Sequence, residues 1–349
     1  MIELNGALEG LTEEQVLEIL QAGVGEDLLS GPDVLISGGD DAALLRCSGS
    51  YLLSTDTMIE NHDYVDRWPN ETEQPAHSVA FKAIAQNVSD INAMGAETTG
   101  IFLSLSLPSN TTRQWLYEFG QGLQAACHKL GATRAVLAGG DLGIAEEVTI
   151  TVTVTGEPGT DVLRRDTARP GDSVYVCGNL GTAAAALQHL LSNDTSELPL
   201  PKNTQFYPEP PLWAGPAAVQ AGARCGMDLS DGLVRDIRRI LRASSAASGQ
   251  KLGVTLDVDA LQPWLEPLTI LGQRHGANPW TWVLNGGEDY ALLTIASQHV
   301  QLPESFVKVG TIIETDQKDA VLFESTTNPE LAAAQEALTI ELGGWDHFA

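Results

Sequence analysis

The chain has little positive charge. Nineteen lysines and arginines stand against 46 acidic residues, for a net charge of −27. Nucleic acid and anionic membrane both reward a basic surface, so neither is expected as a partner. Long apolar runs are missing too: none approaches the ~20 residues that span a bilayer. Met1 to Leu20 is acidic, with no basic n-region and no apolar h-region, so no secretory signal is expected and a cytoplasmic location is. Cysteine is scarce and scattered. Cys47, Cys127, Cys177 and Cys225 form no Cys-x-x-Cys, and the seven histidines form no His-x-x-x-His. A zinc site is therefore not expected, and each cysteine is read as a buried reduced thiol. The P-loop Gly-x₄-Gly-Lys-Ser/Thr is absent, as are a Rossmann Gly-x-Gly-x-x-Gly opening a helix and the kinase His-Arg-Asp and Asp-Phe-Gly signatures. A nucleotide, if bound, is bound on some other fold.

What the chain does have is a series of aspartates, each beside small residues. They are Asp41 in Gly39-Asp40-Asp41, Asp56 in Ser54-Thr55-Asp56-Thr57, Asp90 in Asn87-Val88-Ser89-Asp90 and Asp141 in Gly139-Gly140-Asp141. Asp228 and Asp231 follow in Asp228-Leu229-Ser230-Asp231-Gly232, and a last acidic motif reads Gly286-Gly287-Glu288-Asp289-Tyr290. Any one of these could be a turn or a helix cap, and Asp231 could cap a helix starting at Leu233. As an ordered set of carboxylates they suit a hard cation such as Mg²⁺, which takes oxygen ligands and usually bridges to phosphates.

At 349 residues the chain is long enough for two domains. Thr12 to Gln15 reads as a capping box opening a helix over 12–23. Tyr51 to Thr55 is predicted as a short strand with Asp56 at its end. Over 77–94, Ile84, Val88, Ile91 and Met94 mark an apolar helix face, with Asn87 and Asp90 on another. Strands are predicted at 101–107 and 148–155 with a helix near 110–130 between them, and the 148–155 alternation is the clearest in the chain. Pro158 marks a boundary. Beyond it, strands are predicted at 173–177, 252–258, 289–296 and 306–313, helices at 183–191 and 231–246, and an exposed loop at 192–212. The class is mixed α/β (α+β), with a mixed sheet and helices in each of two domains, 1–157 and 158–349.

These motifs carry a resemblance. Ser54-Thr55-Asp56-Thr57, Lys82 to Asp90, Ala93-Met94-Gly95-Ala96, Met227 to Leu233, Gly286 to Tyr290 and the tail Trp345-Asp346-His347-Phe348 resemble the thiamine-monophosphate kinase family. That family belongs to the superfamily of aminoimidazole ribonucleotide synthetase and selenophosphate synthetase. The likeness implies a two-domain synthetase-like fold, a homodimer built on paired sheets of the first domain, and phosphorylation of thiamine monophosphate by ATP with several Mg²⁺ ions. By position it implies metal contacts from Asp41, Ser54, Thr55, Asp56, Asp90, Asp141, Asp228 and Asp231. It implies ATP contacts from Gly140, Asp141, Arg165 and Ser230, and substrate contacts from Asp63, Glu288 and Trp345. The chain departs from the family in having Asp63, preceded by His62, where histidine is usual. It also has Leu142-Gly143 where hydroxyl residues are common, and no arginine after Pro208 to Pro210. Two alternatives stand beside this reading. One is another ATP-dependent synthetase of the superfamily, and the other is a non-catalytic nucleotide- or cation-binding protein.

Overall fold

The computed structural model describes residues 4–36, 43–47, 49–200 and 203–325. They form two compact units, Met1–Ile91 with Ala96–Pro158, and Asn92–Gly95 with Gly159–Ala349.

In the first unit, α1 (Glu13–Val24) and α2 (Glu26–Leu29) precede a small antiparallel pair, β1 (Val34–Ile36) and β2 (Leu44–Leu45). The capping box is present: Gln15 N–H donates to Thr12 Oγ1, and Thr12 N–H donates to the Gln15 side chain. Then come β3 (Leu52–Ile59), α3 (Ala76–Ala93), β4 (Ala96–Leu107), α4 (Arg113–Leu130), β5 (Val136–Ile144) and β6 (Thr149–Pro158). The sheet order is β3-β6-β4-β5, with β4 and β5 parallel and the other neighbours antiparallel. Along β6, Ile150, Val152 and Val154 are buried while Thr149, Thr151, Thr153 and Thr155 are half-buried, as strict alternation requires.

Three local readings of this unit need correction. Asp56 does not end a strand: β3 continues to Ile59, because the whole stretch pairs with β6 from Leu52↔Gly156 to Ile59↔Thr149. The helix over 76–93 is not one-faced. Phe81, Lys82, Ala83, Ala85, Gln86, Asn87 and Ser89 are buried along with Ile84, Val88 and Ile91, the pattern of a core helix. The sheet lies on one side of α3, where Ile91 meets Gly156, and α4 packs at His77 on another. Gly139-Gly140-Asp141 lies inside a strand. A Cβ on Gly140 would fall 1.9 Å from the Leu103 carbonyl oxygen, so the close approach of β5 to β4 requires glycine there. Glycine depresses strand propensity, which is why pattern alone misses β5.

The second unit contains β7 (Ser173–Cys177), α5 (Thr182–Leu190), α6 (Ala214–Gln220), β8 (Cys225–Asp228), α7 (Leu233–Ser248) and β9 (Leu252–Asp257). It continues with α8 (Val258–Leu265), a 3₁₀ turn, α9 (Thr269–His275), α10 (Pro279–Asn285), β10 (Leu292–Ala296), β11 (Val307–Glu314) and β12 (Val321–Glu324). Its sheet order is β12-β9-β11-β7-β10-β8, with β12 and β9 parallel and the other pairs antiparallel. Leu233, Val234, Ile237, Ile240 and Leu241 make the buried stripe of α7, in one core with Val174, Val176, Val254 and Leu256. Among the described residues, no helix is long and apolar enough to cross a membrane.

Candidate functional site

In the first unit three of the predicted residues, Ser54, Asp56 and Asp90, come together where β3 faces α3. Ser54 Oγ donates to Asp90 Oδ2 at 2.5 Å. Asp56 Oδ1 accepts from Thr57 N–H at 2.8 Å, and its Oδ2 accepts from the Gln86 amide at 2.9 Å. Strand pleating puts Ser54 and Asp56 on one face, and α3 supplies both Gln86 and, four residues on, Asp90. Asn87 is fully buried one turn before Asp90, and its Oδ1 has no hydrogen-bond partner. The oxygens named in this group are carboxylate, hydroxyl and amide, a donor set that fits a hard cation such as Mg²⁺.

Other predicted residues of this unit stand apart from that cluster. Thr55 is exposed and meets Thr153 Oγ1 at 2.9 Å on the alternate side of β3. Asp141 is exposed on the opposite edge strand, paired in register with Ser104. Asp63 Oδ2 accepts from Ile59 N–H at 2.7 Å, closing the turn after β3, while His62 is exposed. Asp41 lies outside the described residues.

In the second unit, the Asp228-to-Gly232 loop and the Gly286-to-Tyr290 loop are zipped together. Glu288 N–H donates to Ser230 O, Tyr290 N–H to Leu229 O, and Leu229 N–H to Ala291 O. A Cβ on Gly287 would sit 2.4 Å from Ser230 O, so this approach needs a glycine. Asp228 is buried at the end of β8, opposite Leu292. Glu288 takes a positive φ of 66° and accepts from the Gln205 amide at 2.6 Å. Arg165 is exposed, and its carbonyl accepts from Ser244 Oγ. Trp345 lies outside the described residues.

Asp231 does not cap α7. The N-cap is Gly232, and Asp236 does the work from within the first turn. Asp236 Oδ2 accepts from Asp231 N–H at 2.9 Å and Gly232 N–H at 3.1 Å, while its Oδ1 pairs with Arg239 at 2.5 Å. Arg239 also takes Asp231 Oδ2 at 2.5 Å, so one Asp231 oxygen is already matched by a cation. Burial pushes the Asp236 carboxyl up to about 6, against the pull of the Asp231 N–H and the Arg239 charge. Asp289 is likewise structural. Its carboxylate accepts from Gly181 N–H, Thr182 Oγ1 and Ala183 N–H and so caps α5, whose own N-cap is a glycine. Burial pushes it up to about 6 as well.

Sequence reasoning missed Gln86, Asp236 and Arg239. Asp236 carried a usable signal, an acid in the first turn of a helix beside a glycine N-cap. Cys47 also differs from expectation: it is exposed, whereas Cys127, Cys177 and Cys225 are buried. A separate cavity of about 450 Å³ lies between the Leu8–Val16 segment and Leu107–Ser109 with Leu142–Ile144. Its charged lining is Glu9 and Glu13, which is unsuited to phosphate.

Comparisons with known proteins agree in kind. A model of the N-terminal domain of AIR synthase related proteins matches residues 39–157. The chain is 32% identical over 285 residues to thiamine-monophosphate kinase of Mycobacterium tuberculosis (strain ATCC 25618 / H37Rv), covering 80% of each protein. It is 31% identical over 336 residues to that of Escherichia coli (strain K12), covering 91% of this chain and 93% of the relative. The solved structure of AaThiL complexed with AMPPCP and TMP matches with a TM-score of 0.69 at 25% identity, over 97% of both chains. The fold is accordingly the two-domain AIR synthase-like one.

Proposed function

The chain belongs to the thiamine-monophosphate kinase family, and on that premise we propose that it transfers the terminal phosphoryl group of ATP to thiamine monophosphate, giving thiamine diphosphate and ADP. The observation that carries this reading is the likeness, over nearly the whole chain, to a relative solved with AMPPCP and TMP. The acceptor is a phosphate oxygen whose second ionisation lies near 6, so it is mostly ionised at neutral pH and no strong general base is required. The barrier is bringing two anions together, ATP at roughly −4 and the acceptor at roughly −2. Magnesium, when bound, would supply positive charge that offsets the anions gathered for the transfer.

In the first unit Ser54, Asp56, Asp90 and Asp141 would hold ions, with Asp41 from outside the described residues, and in the second unit Asp228; Thr55, whose hydroxyl meets Thr153 on the other side of β3, is left out of that set. Asp231 would join through its second oxygen, since Arg239 takes Oδ2. Gly140, Arg165 and Ser230 are assigned to the nucleotide, with Arg165 adding fixed positive charge. Glu288 and Trp345 are assigned to the thiamine moiety, where an indole face under a cationic ring contributes about 0.5–2 kcal/mol. Asp63 spends one oxygen on its own turn, which favours the exposed His62 for the remaining substrate contact. A homodimer is proposed through the sheet face that carries Leu53, Thr55 and Thr57, the side opposite Asp56 and α3. Leu53 is 63% exposed there.

Purified protein with ATP and Mg²⁺ should convert thiamine monophosphate to thiamine diphosphate, followed by chromatography, and leave free thiamine almost untouched. Release of ADP without diphosphate product, or equal rates with free thiamine, would sink the acceptor assignment. Trp345→Ala should raise KM for thiamine monophosphate more than KM for ATP.

A further inference from the structure

Three side chains that the proposed function does not use meet in the second unit. His189 lies in the last turn of α5, Asp194 in the loop that follows, and His275 at the end of α9. One donor atom from each lies within 4.8 Å of the other two. His189 Nδ1 and His275 Nε2 are 3.2 Å apart.

The tautomer of His189 follows from its other nitrogen. His189 Nε2 is 3.0 Å from the Ser196 carbonyl oxygen, which can only accept, so Nε2 carries the proton and Nδ1 presents a lone pair. A ligating histidine commonly donates its second ring N–H to a backbone carbonyl in just this way, which fixes both ring orientation and tautomer. The ring is 2% exposed, so its position is set by packing. Two nitrogens bound at ~2.0–2.1 Å to one tetrahedral zinc stand roughly 3.3 Å apart, close to the separation here. Burial and the neighbouring His189 hold His275 below the usual histidine range, so it is neutral; its Nε2–H faces the His189 lone pair, and on ligation that proton would pass to its Nδ1. Hydrogen bonds from Ser196 hold Asp194 below the usual carboxylate range, so it is ionised.

We propose that His189 Nδ1, His275 Nε2 and a carboxylate oxygen of Asp194 form a site for a zinc-type divalent transition ion, with a fourth position open to water. The mixed nitrogen and oxygen donors separate it from the all-oxygen groups assigned to magnesium. The ion would fasten the segment after α5 to the end of α9, at the opposite end of α5 from the turn that Asp289 caps. One term opposes binding: Arg274 Nη1 lies 3.8 Å from Asp194 Oδ2. That guanidinium nitrogen also donates to Ser196 Oγ and Glu197 O, at 2.9 and 3.0 Å, so it has other acceptors when Asp194 ligates. Local spacing could not reveal this cluster, because its histidines are 86 residues apart.

The test uses the full chain, stripped with chelator and dialysed. Co²⁺ alone should give the strong visible absorption of a tetrahedral site, Zn²⁺ should bleach it at one ion per chain, and Zn²⁺ should raise Tm by mass action. His275→Ala and Asp194→Asn are the variants of choice, because both side chains are less buried than His189. Each should keep a cooperative melt and the Mg²⁺-dependent turnover, yet lose the cobalt spectrum and at least ten-fold in Zn²⁺ affinity. No cobalt spectrum and no stoichiometric Zn²⁺ in the wild-type protein would overturn the proposal and leave a plain histidine–histidine hydrogen bond. Unchanged Zn²⁺ affinity in both variants would overturn it too, placing the ion elsewhere.

Discussion

The carboxylates of the two units are held in different ways. At the β3–α3 group, Asp56 is exposed and counts the Thr57 N–H and the Gln86 amide among its donors, and Asp90 accepts from the Ser54 hydroxyl. In the second unit, Asp236 is fully buried and takes two backbone N–H groups and an arginine, Asp231 shares that arginine, and Asp289 disappears into the first turn of α5. A neutral donor fixes a carboxylate without cancelling its charge. An arginine or a helix N-terminus uses that charge up. The same residue type therefore stands at an exposed strand face in one unit and, as Asp236 and Asp289, builds loops and caps in the other.

The sharpest way to break this comparison is to remove one charge from each side. Asp56→Asn keeps the shape and loses the charge, so turnover should fall at least roughly a hundredfold, the size of losing one electrostatic partner of a transition state. Its stability should stay within about 0.5 kcal/mol of wild type, since the side chain is exposed. Asp236→Ala should do the reverse in kind. It strips partners from two backbone N–H groups and from Arg239, and should cost roughly 3–5 kcal/mol of stability. Denaturant melts and initial rates on both variants check this. An Asp56→Asn that melts as early as Asp236→Ala, or that turns over normally, removes the distinction.

How much of this was legible in the sequence also divides along the comparison. The aspartates were visible because each sits beside small residues, and the strict alternation of Thr149 to Val154 gave β6 directly. The pairing of Ser54 with Asp90 was not visible, because 36 residues separate them and only the packing of α3 on β3 joins them. β5 and β8 were missed for a related reason. One carries Gly139 and Gly140, the other is Cys225-Gly226-Met227-Asp228, and both lack the β-branched alternation on which strand recognition rests. Asp231 was read as a possible cap from local sequence. The cap is Asp236, five residues on, and only the path of the loop decides between them.

A smaller effect concerns pH. Asp289 is raised to about 6 in the fold from an ordinary value of 3.8, so the folded state binds its proton more tightly than the unfolded chain does. Its favourable contribution is complete below the unfolded value and is lost as pH rises through about 6, by up to roughly 3 kcal/mol. Asp289→Asn cannot lose a proton there. Its stability relative to wild type should therefore improve as pH rises from ~4 to ~6.5, on top of a constant deficit from the poorer cap. Denaturant midpoints across that window read the slope. A flat difference would mean that the Thr182 hydroxyl and the α5 N–H groups keep Asp289 ionised throughout.

The smallest effect expected is none, and it tests whether the chemistry belongs to the carboxylates at all. Cys47 is exposed, and the other three thiols are buried. Burial pushes Cys127 and Cys225 up to about 12 and Cys177 up to about 11, far from the thiolate form that reacts. A thiol reagent under native conditions should therefore label a single cysteine, Cys47, and label all four only after denaturation. Turnover should survive the native labelling, because no thiol stands in the Ser54, Asp56 and Asp90 group or in the Ser230 and Glu288 loops. Mass spectrometry of the labelled chain identifies the site, and the same sample is assayed. Loss of activity that substrate prevents would move the chemistry from the aspartates to a cysteine and undo the contrast between the two units.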